Sequence, residues 1–217
     1  MAKGTATVKR VSVGTSGWSY PSWRPGFYPS GLEPSAFLGY YAERFPTVEL
    51  NTTGYRLPAE EQFERWAEQV PDGFEFAPKL PGDRLRGLGE FEARVRALGD
   101  RLGPVRISLK KARDEGALEL LLGSLDPSLR LAFDLDHPSW NGVEPRLAEA
   151  GAVRVNDFDH PAPFRYLRLR DPPYDDEALR LLATTLRTVS EPAYVSFRHE
   201  DEPSAPAYAA RLAGLLR

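Results

Sequence analysis

The stretch LAFDLD, residues 131–136, alternates apolar and polar side chains, and its polar members become acidic toward the end. Side chains of a β-strand point to opposite faces with a period of two, so the leucines and Phe133 would share one face, and Asp134 and Asp136 the other. The same alternation recurs in seven further segments, at residues 11–15, 47–51, 74–79, 104–109, 153–156, 164–169 and 193–198. We therefore predict eight strands, each with one apolar face and one face that carries polar groups.

Segments with a helical spacing of apolar residues separate most of these strands, as in the row formed by Phe63, Trp66 and Val70. Strands that alternate with helices are typical of βαβ units and a parallel sheet. An open doubly wound sheet buries both faces of its strands, which makes them apolar throughout, whereas a closed barrel collects polar groups inside its carboxyl-terminal mouth. The alternation therefore favours an α/β fold of the TIM-type (β/α)8 barrel class.

The sequence also predicts where the barrel lacks a helix and which residues it spans. The stretch DFDHPAP, residues 157–163, has no helical spacing, so we expect the helix between strands six and seven to be missing or reduced. A length of 217 residues suits one domain at the short end of the range for such barrels. We predict a single compact barrel domain over residues 1–217, with residues 1–9 as a flexible N-terminal segment.

The composition excludes several kinds of site. The chain has no cysteine, which excludes disulfides, thiolate nucleophiles and cysteine-based metal centres. Its three histidines are too few for a histidine-rich multi-metal site. The net charge of −3 gives no general attraction to nucleic acid or anionic membranes. No apolar stretch approaches the ~20 residues of a membrane helix, and no signal peptide is visible, so we expect a cytoplasmic protein.

Several longer motifs resemble a known family. They are VGTSGWSY at residues 13–20, FPTVELNTT at 45–53, FEFAPK at 74–79, HPSW at 137–140 and FRHEDEP at 197–203. Together they run over essentially the whole chain, which is similar in this way to the DUF72 or YecE-like family. The resemblance implies a TIM-barrel-type fold and brings with it no established biochemical activity.

Some positions depart from the pattern of this family. It often has Glu-x-Arg where Asp134-Leu135-Asp136 stands, and usually a glutamine at the position of Ser108. It commonly has an aromatic residue at the position of Gly54, and a His-Gly pair where strand seven here ends in Arg168-Leu169-Arg170-Asp171. The resemblance therefore implies that the mouth of this barrel differs from the usual one, and with it any ligand or activity.

Charged side chains on the polar faces of the strands should meet at the carboxyl-terminal mouth. Those near the strand ends are Glu49, Lys79, Lys110, Asp134, Asp136, Arg168, Arg170 and Arg198; Arg106 and Arg154 lie nearer the strand starts and are left out. Charges in a low-dielectric interior need partners. Two interpretations stay open. In the first, a closed network pairs Glu49 with Lys79, and Asp134 and Asp136 with Arg168 and Arg198. In the second, the surplus cations clamp an anionic ligand, for which the planar guanidinium is suited.

The candidate roles divide into proton transfer and ligand contact. Glu49, Asp134 and His137 are the candidate catalytic residues, with a structural hydrogen-bonding role as the alternative for His137. The candidate ligand-binding residues are Trp18, Asn51, Tyr55, Lys79, Asp136, Trp140, Asn156, Arg168, Arg170, Arg198 and His199. The aromatic members either line a pocket or pack as a lid. Asp134 and Asp136 could hold a divalent cation, but nearby arginines favour ion pairing, so no metal is predicted and the cofactor stays unknown, with none evident in the sequence.

Three functional hypotheses remain. In the first, an electropositive mouth binds a small phosphorylated or carboxylated ligand, with hydrolysis or isomerisation as the candidate reactions and enzymatic activity left open. In the second, the same basic, aromatic-rimmed mouth binds or processes nucleic acid through a flipped or single-stranded base. In the third, the barrel is catalytically inactive and its polar interior is structural. The sequence does not identify the substrate or the oligomeric state.

Overall fold

The eight predicted strands are present in the computed structural model, which describes residues 11–82, 85–199 and 202–217. They are β1 (Val11–Ser16), β2 (Thr47–Leu50), β3 (Glu75–Pro81), β4 (Val105–Leu109), β5 (Leu131–Leu135), β6 (Val153–Arg154), β7 (Arg165–Leu169) and β8 (Ala193–Phe197). Every hydrogen-bonded pair of neighbours is parallel, in the order β6-β5-β4-β3-β2-β1-β8-β7. The strands form a nearly closed barrel of the TIM type, as predicted.

Helices follow the strands in the order that the sequence predicts. Within the described ranges they are α1 (Phe37–Ala42), α2 (Glu60–Glu68), α3 (Leu88–Val95), α4 (Glu115–Ser124), α5 (Glu144–Glu149), α6 (Asp176–Thr188) and α7 (Ser204–Leu216). Residues 155–164, between β6 and β7, contain no helix, so the predicted gap in the helical layer is confirmed. The predicted N-terminal segment 1–9 lies outside the described residues. None of the helices described has both the length and the apolar character needed to cross a bilayer.

The apolar faces of the strands pack outward beneath the helices. Phe76 on β3, Ile107 on β4 and Phe133 on β5 are fully buried, as are Phe63 on α2 and Leu118 on α4. All five belong to one continuous hydrophobic cluster. Each such side chain contributes about 1.5–3 kcal/mol by leaving water, so the layer between sheet and helices supplies much of the driving force for folding.

The barrel interior is packed rather than hollow, and it is layered. At the amino-terminal end of the strands, Arg130 and Tyr194 both contact the carboxylate of Glu75, at 2.6 Å and 2.8 Å. Above them, a small apolar layer that includes Ala132 and Tyr166 fills the centre. The polar residues of the carboxyl-terminal mouth therefore lie directly above packed side chains.

Strands β1 and β2 approach each other unusually closely below this mouth. Gly14 lies opposite Thr47 in the sheet, and a Cβ at Gly14 would lie 2.0 Å from the carbonyl oxygen of Thr47. Only glycine fits there, because backbone atoms cannot yield as a flexible side chain can. The close pairing continues to Ser16, which lies opposite Glu49 at the mouth.

Strand β6 departs from the predicted alternation. Val153 and Val155 face the apolar layer of the interior, whereas Arg154 forms an ion pair with Glu144 on α5. The prediction that the polar residues of this strand face inward is therefore wrong. A pattern of two valines and two polar residues fits either orientation, and the acidic partner on α5 decides it.

Asn156 joins β6 to β7. It adopts a φ of 63°, a left-handed conformation that asparagine tolerates better than most residues. Its backbone N–H donates to the carbonyl of Tyr166 at 2.9 Å. Its side-chain amide accepts from the backbone N–H of Arg168 at 2.7 Å and donates to the carbonyl of Arg168 at 3.1 Å. The amide of Asn156 thus bridges the ends of β6 and β7, and ligand binding by Asn156 stays a prediction.

Candidate functional site

A buried ion-pair cluster occupies the carboxyl-terminal mouth, with Glu49 of β2 at its centre. The Glu49 side chain has no exposed surface. Its carboxylate accepts hydrogen bonds from Ser16 Oγ at 2.7 Å, Tyr166 Oη at 2.9 Å and Arg168 Nε at 2.9 Å. Arg106 donates from Nη2 to Glu49 Oε1 at 3.2 Å, and its Nε lies 2.7 Å from Oε2, so the two side chains form a hydrogen-bonded ion pair. Four side chains from three other strands, β1, β4 and β7, therefore converge on one carboxylate.

Asp134 of β5 forms the second half of the cluster. Its side chain is 4% exposed and contacts the guanidinium groups of Arg106 and Arg170. Arg106 therefore bridges the two buried carboxylates, while Arg168 belongs to Glu49 and Arg170 to Asp134. Arg170 also reaches the partly exposed Asp136, with Nη1 3.8 Å from Oδ1, so three guanidinium groups meet three carboxylates and their charges balance.

Arg106 is the residue that the sequence reasoning missed. It was left out because β4 begins at Val105, which places Arg106 near the strand start. Its side chain is 2% exposed, reaches both buried carboxylates, and also points Nη2 toward Asn51 Oδ1 at 3.5 Å. An arginine side chain is long enough to carry its charge several ångströms from its own Cα. Position along the strand is therefore a poor guide to where the guanidinium lies.

The environment of Glu49 fixes its charge. Burial alone would raise the pKa of Glu49, but Arg106, Arg168 and the Ser16 hydroxyl outweigh burial and hold this pKa well below its ordinary value of 4.5. Burial and the nearby carboxylate raise the pKa of Tyr166, so its phenol stays protonated and donates. A carboxylate held ionised in this way exchanges protons poorly near neutral pH, so Glu49 is better placed to orient arginines than to transfer a proton.

Lys79 of β3 supplies a further cation beside the cluster. Burial and the repulsion of Arg106 lower the pKa of Lys79. Among the described residues, no carboxylate lies within ion-pair distance of its ammonium group. The sequence-based network paired Lys79 with Glu49; that pairing is wrong, because Arg106 and Arg168 occupy the Glu49 carboxylate instead.

A cavity of about 900 Å³ opens beside this cluster. It reaches from Glu49 and Asn51 at the mouth, past the loop after β1, to the exposed side of α2. Three candidate ligand-binding residues line it, namely Trp18, Asn51 and Tyr55. Tyr20 and Trp66 also line it and were not among the candidates.

Other candidates lie outside this arrangement. Trp140 is completely buried and donates its indole N–H to the carbonyl of Lys111 at 3.0 Å, so the expectation that it contacts a ligand is wrong: Trp140 is part of the core. His137 is exposed, and its Nδ1 accepts from the backbone N–H of Ser139 at 3.1 Å, which caps a short 3-10 turn. Arg198 is exposed at the rim, and His199 stacks on Tyr20 with ring centroids 3.5 Å apart.

Arg170 occupies the space between the two aspartates considered for a metal. It contacts Asp134 through Nη2, and its Nη1 lies 3.8 Å from Asp136 Oδ1. The Asp136 side chain is 45% exposed and stands outside the buried cluster. A guanidinium thus takes the position between the carboxylates that a divalent cation would need.

The fold and its buried mouth define this chain as a TIM-type α/β barrel with an arginine-rich ion-pair cluster at the carboxyl-terminal end. A family model described as a protein of unknown function, DUF72, matches residues 12–217. The chain belongs to the DUF72 family.

Relatives of known sequence or structure agree with this assignment. UPF0759 protein YecE of Escherichia coli strain K12 is 33% identical over 143 residues, which make up 60% of this chain and 50% of that protein. YecE of E. coli O157:H7 gives the same values. The chain spans about half the length of these curated relatives.

Two crystal structures of a DUF72 family protein from Enterococcus faecalis V583 share the fold. One has a TM-score of 0.70 at 16% identity and covers 84% of this chain and 94% of the other. The second has a TM-score of 0.72 at 16% identity and covers 95% of each chain.

Proposed function

We propose that the barrel mouth binds a small anionic ligand, phosphorylated or carboxylated, through Lys79, Arg168 and Arg170. The observation that carries the proposal is the ammonium of Lys79, which is half-buried beside two guanidinium groups and has no carboxylate partner among the described residues. Burying such a charge without a counter-ion is unfavourable. A ligand anion would relieve this cost by supplying the missing counter-ion.

The proposed ligand fits the exposed parts of the cluster. The side chains of Arg168 and Arg170 are 11% and 26% exposed, whereas Glu49 and Arg106 lie beneath them. Guanidinium groups bind phosphate and carboxylate with paired hydrogen bonds. The lowered pKa of Glu49 supports binding in preference to hydrolysis or isomerisation, because it weakens the best-placed candidate for proton transfer.

The test compares Lys79→Gln with a matched surface variant, Arg146→Gln. Arg146 pairs with Glu119 between α4 and α5, so both variants lose one positive charge but only one loses it at the mouth. Charge-assisted hydrogen bonds contribute roughly 1.5–3 kcal/mol each, so Lys79→Gln should weaken binding of inorganic phosphate about 10- to 150-fold. Isothermal titration calorimetry measures this affinity.

Stability provides the second readout. Lys79 forms no ion pair with any carboxylate in the described part of the chain, so Lys79→Gln breaks none. The urea midpoint of the ligand-free protein should therefore stay unchanged or rise. If wild-type protein and Lys79→Gln bind phosphate equally, or if neither binds it, the mouth is a structural network and the proposal is wrong.

Nucleic acid is the second candidate, and one observation favours it. The ring of Tyr55 is 77% exposed and lies near Lys79, with Nζ 5.7 Å from the ring centroid. Exposed rings beside cations are typical of sites that stack single-stranded bases. Each backbone phosphate bound contributes a slope near −0.7 to the dependence of log affinity on log salt. A slope steeper than about −3 for a ten-residue oligonucleotide would favour this candidate over a recessed site for one anion.

A further inference from the structure

The cavity beside the ion-pair cluster is larger than an inorganic anion requires. Its volume of about 900 Å³ lies within the range of roughly 300–1,000 Å³ that is typical of sites for organic ligands. The cluster touches this space only at one end, where Glu49 and Asn51 form part of the lining. The ammonium of Lys79 lies 5.7 Å from the ring centroid of Tyr55, which is another lining residue. A phosphate held at Lys79 would therefore lie at the edge of the cavity and leave most of it for the rest of the molecule that bears the phosphate.

Aromatic rings held in fixed orientations line this remaining space. Trp18 is packed edge-on against Trp66, with centroids 5.3 Å apart and an interplanar angle of 89°. Tyr20 stacks on His199 and donates its hydroxyl proton to the carbonyl of Ser16 at 2.9 Å. Rings that are already held in place lose little conformational entropy when they bind a ligand.

Polar groups with both donors and acceptors complete the lining. Asn51 and Gln62, which carry side-chain amides, line the cavity together with Tyr55. Amides of this kind can match the mixed donor and acceptor edge of a heterocycle. The ring of Tyr55 and the ammonium of Lys79 are neighbours, so one molecule could meet a flat apolar surface and a positive charge at the same time.

We propose that the ligand of this site is a nucleotide, with its phosphate at Lys79 and the arginines and its base against the aromatic lining. This inference rests on the proposed anion site and adds the chemical class of the ligand. A sugar phosphate would satisfy the cations but would leave the aromatic lining without a flat partner. A base supplies that partner, and its edge carries the groups that Asn51 and Gln62 can recognise.

The experiment measures binding of the four nucleoside 5′-monophosphates, ribose 5-phosphate and inorganic phosphate by calorimetry. Stacking of one base on an aromatic side chain corresponds to a preference of roughly 5- to 150-fold. At least one nucleotide should therefore bind more tightly than ribose 5-phosphate by such a factor. Tyr55→Ala should remove much of this preference, and Tyr55→Phe should retain it, because the ring is the part that stacks. Tyr55 is exposed, so the fold should tolerate both changes.

The arms of the experiment separate the two proposals. If ribose 5-phosphate binds as tightly as every nucleotide while Lys79→Gln weakens both, the anion site stands and the nucleotide inference is wrong. If no phosphorylated compound binds, both proposals fail. Binding of mononucleotides supports a free nucleotide as the ligand. Binding of a ten-residue oligonucleotide alone, with a salt slope steeper than about −3, supports a nucleotide within a strand.

Discussion

Replacing Glu49 with glutamine removes one negative charge from the centre of the buried cluster and changes the shape of the side chain very little. Ser16 and Tyr166 can still hydrogen-bond to the amide, but Arg106 keeps only Asp134, and Arg168 loses its carboxylate. Breaking a buried ion pair by removing one partner costs about 3–5 kcal/mol. In a protein of this size each kcal/mol lowers Tm by about 2–4 °C, so Glu49→Gln should lower it by roughly 6–20 °C.

The pH dependence of this loss follows from the lowered pKa of Glu49. The folded-state pKa lies below the ordinary value of 4.5, so as pH falls below that value the unfolded chain takes up the proton first. The stabilisation by Glu49 is therefore complete above about pH 5.5 and is lost progressively below 4.5. Urea denaturation between pH 3 and pH 7 should show wild-type protein and Glu49→Gln converging as the pH falls.

The matched control is Glu119→Gln, which removes a surface carboxylate that contacts Arg146 at 2.6 Å. We expect little change in Tm from this variant, because exposed pairs contribute little. If Glu49→Gln unfolds at the wild-type temperature at pH 7, or if its deficit is the same at pH 3 as at pH 7, charge pairing does not hold the mouth together and the reasoning is refuted.

Three further substitutions test other parts of the barrel. Arg106→Met leaves each buried carboxylate with one arginine, so its urea midpoint should fall less than that of Glu49→Gln. An equal or larger fall would contradict this expectation. Asn156→Gly keeps the left-handed backbone but removes two hydrogen bonds to Arg168, so the free energy of unfolding should fall by about 1–3 kcal/mol. The backbone amide of Arg168 should also exchange faster with deuterium. An unchanged exchange rate would argue against the contact between β6 and β7 described above. Gly14→Ala places a methyl group against the Thr47 carbonyl, so circular dichroism should show loss of cooperative unfolding, and a variant of wild-type stability would disprove the close approach.

The strand pattern predicted the barrel because alternation reports which face of a strand is buried, and seven of the eight strands follow it. It failed at β6, which has only two residues in the sheet. A strand this short carries no run of residues long enough to distinguish one parity from the other. The neighbouring helix then decided the orientation through the ion pair of Arg154 with Glu144.

The sequence placed Glu49, Asp134, Arg168 and Arg170 at one mouth, and the structure brings these four together. It could not assign their partners, since pairing depends on side-chain reach rather than on position along a strand. Arg106 was omitted for this reason. Trp140 was included although it lies in the core. The sequence does not show whether an aromatic residue in a loop faces a pocket or the core.

Arg168 takes part in two separate sets of hydrogen bonds. Its backbone N–H and carbonyl are bound by the Asn156 side chain where β6 meets β7, and its guanidinium is bound by Glu49 and Ser16. Any ligand that favours one position of this arginine also changes the free energy of closing the barrel. By thermodynamic reciprocity, tightening the junction would change the affinity for that ligand by the same factor. If the proposed anion binds at Arg168, its affinity and the stability of the junction between β6 and β7 would therefore be coupled through this one residue.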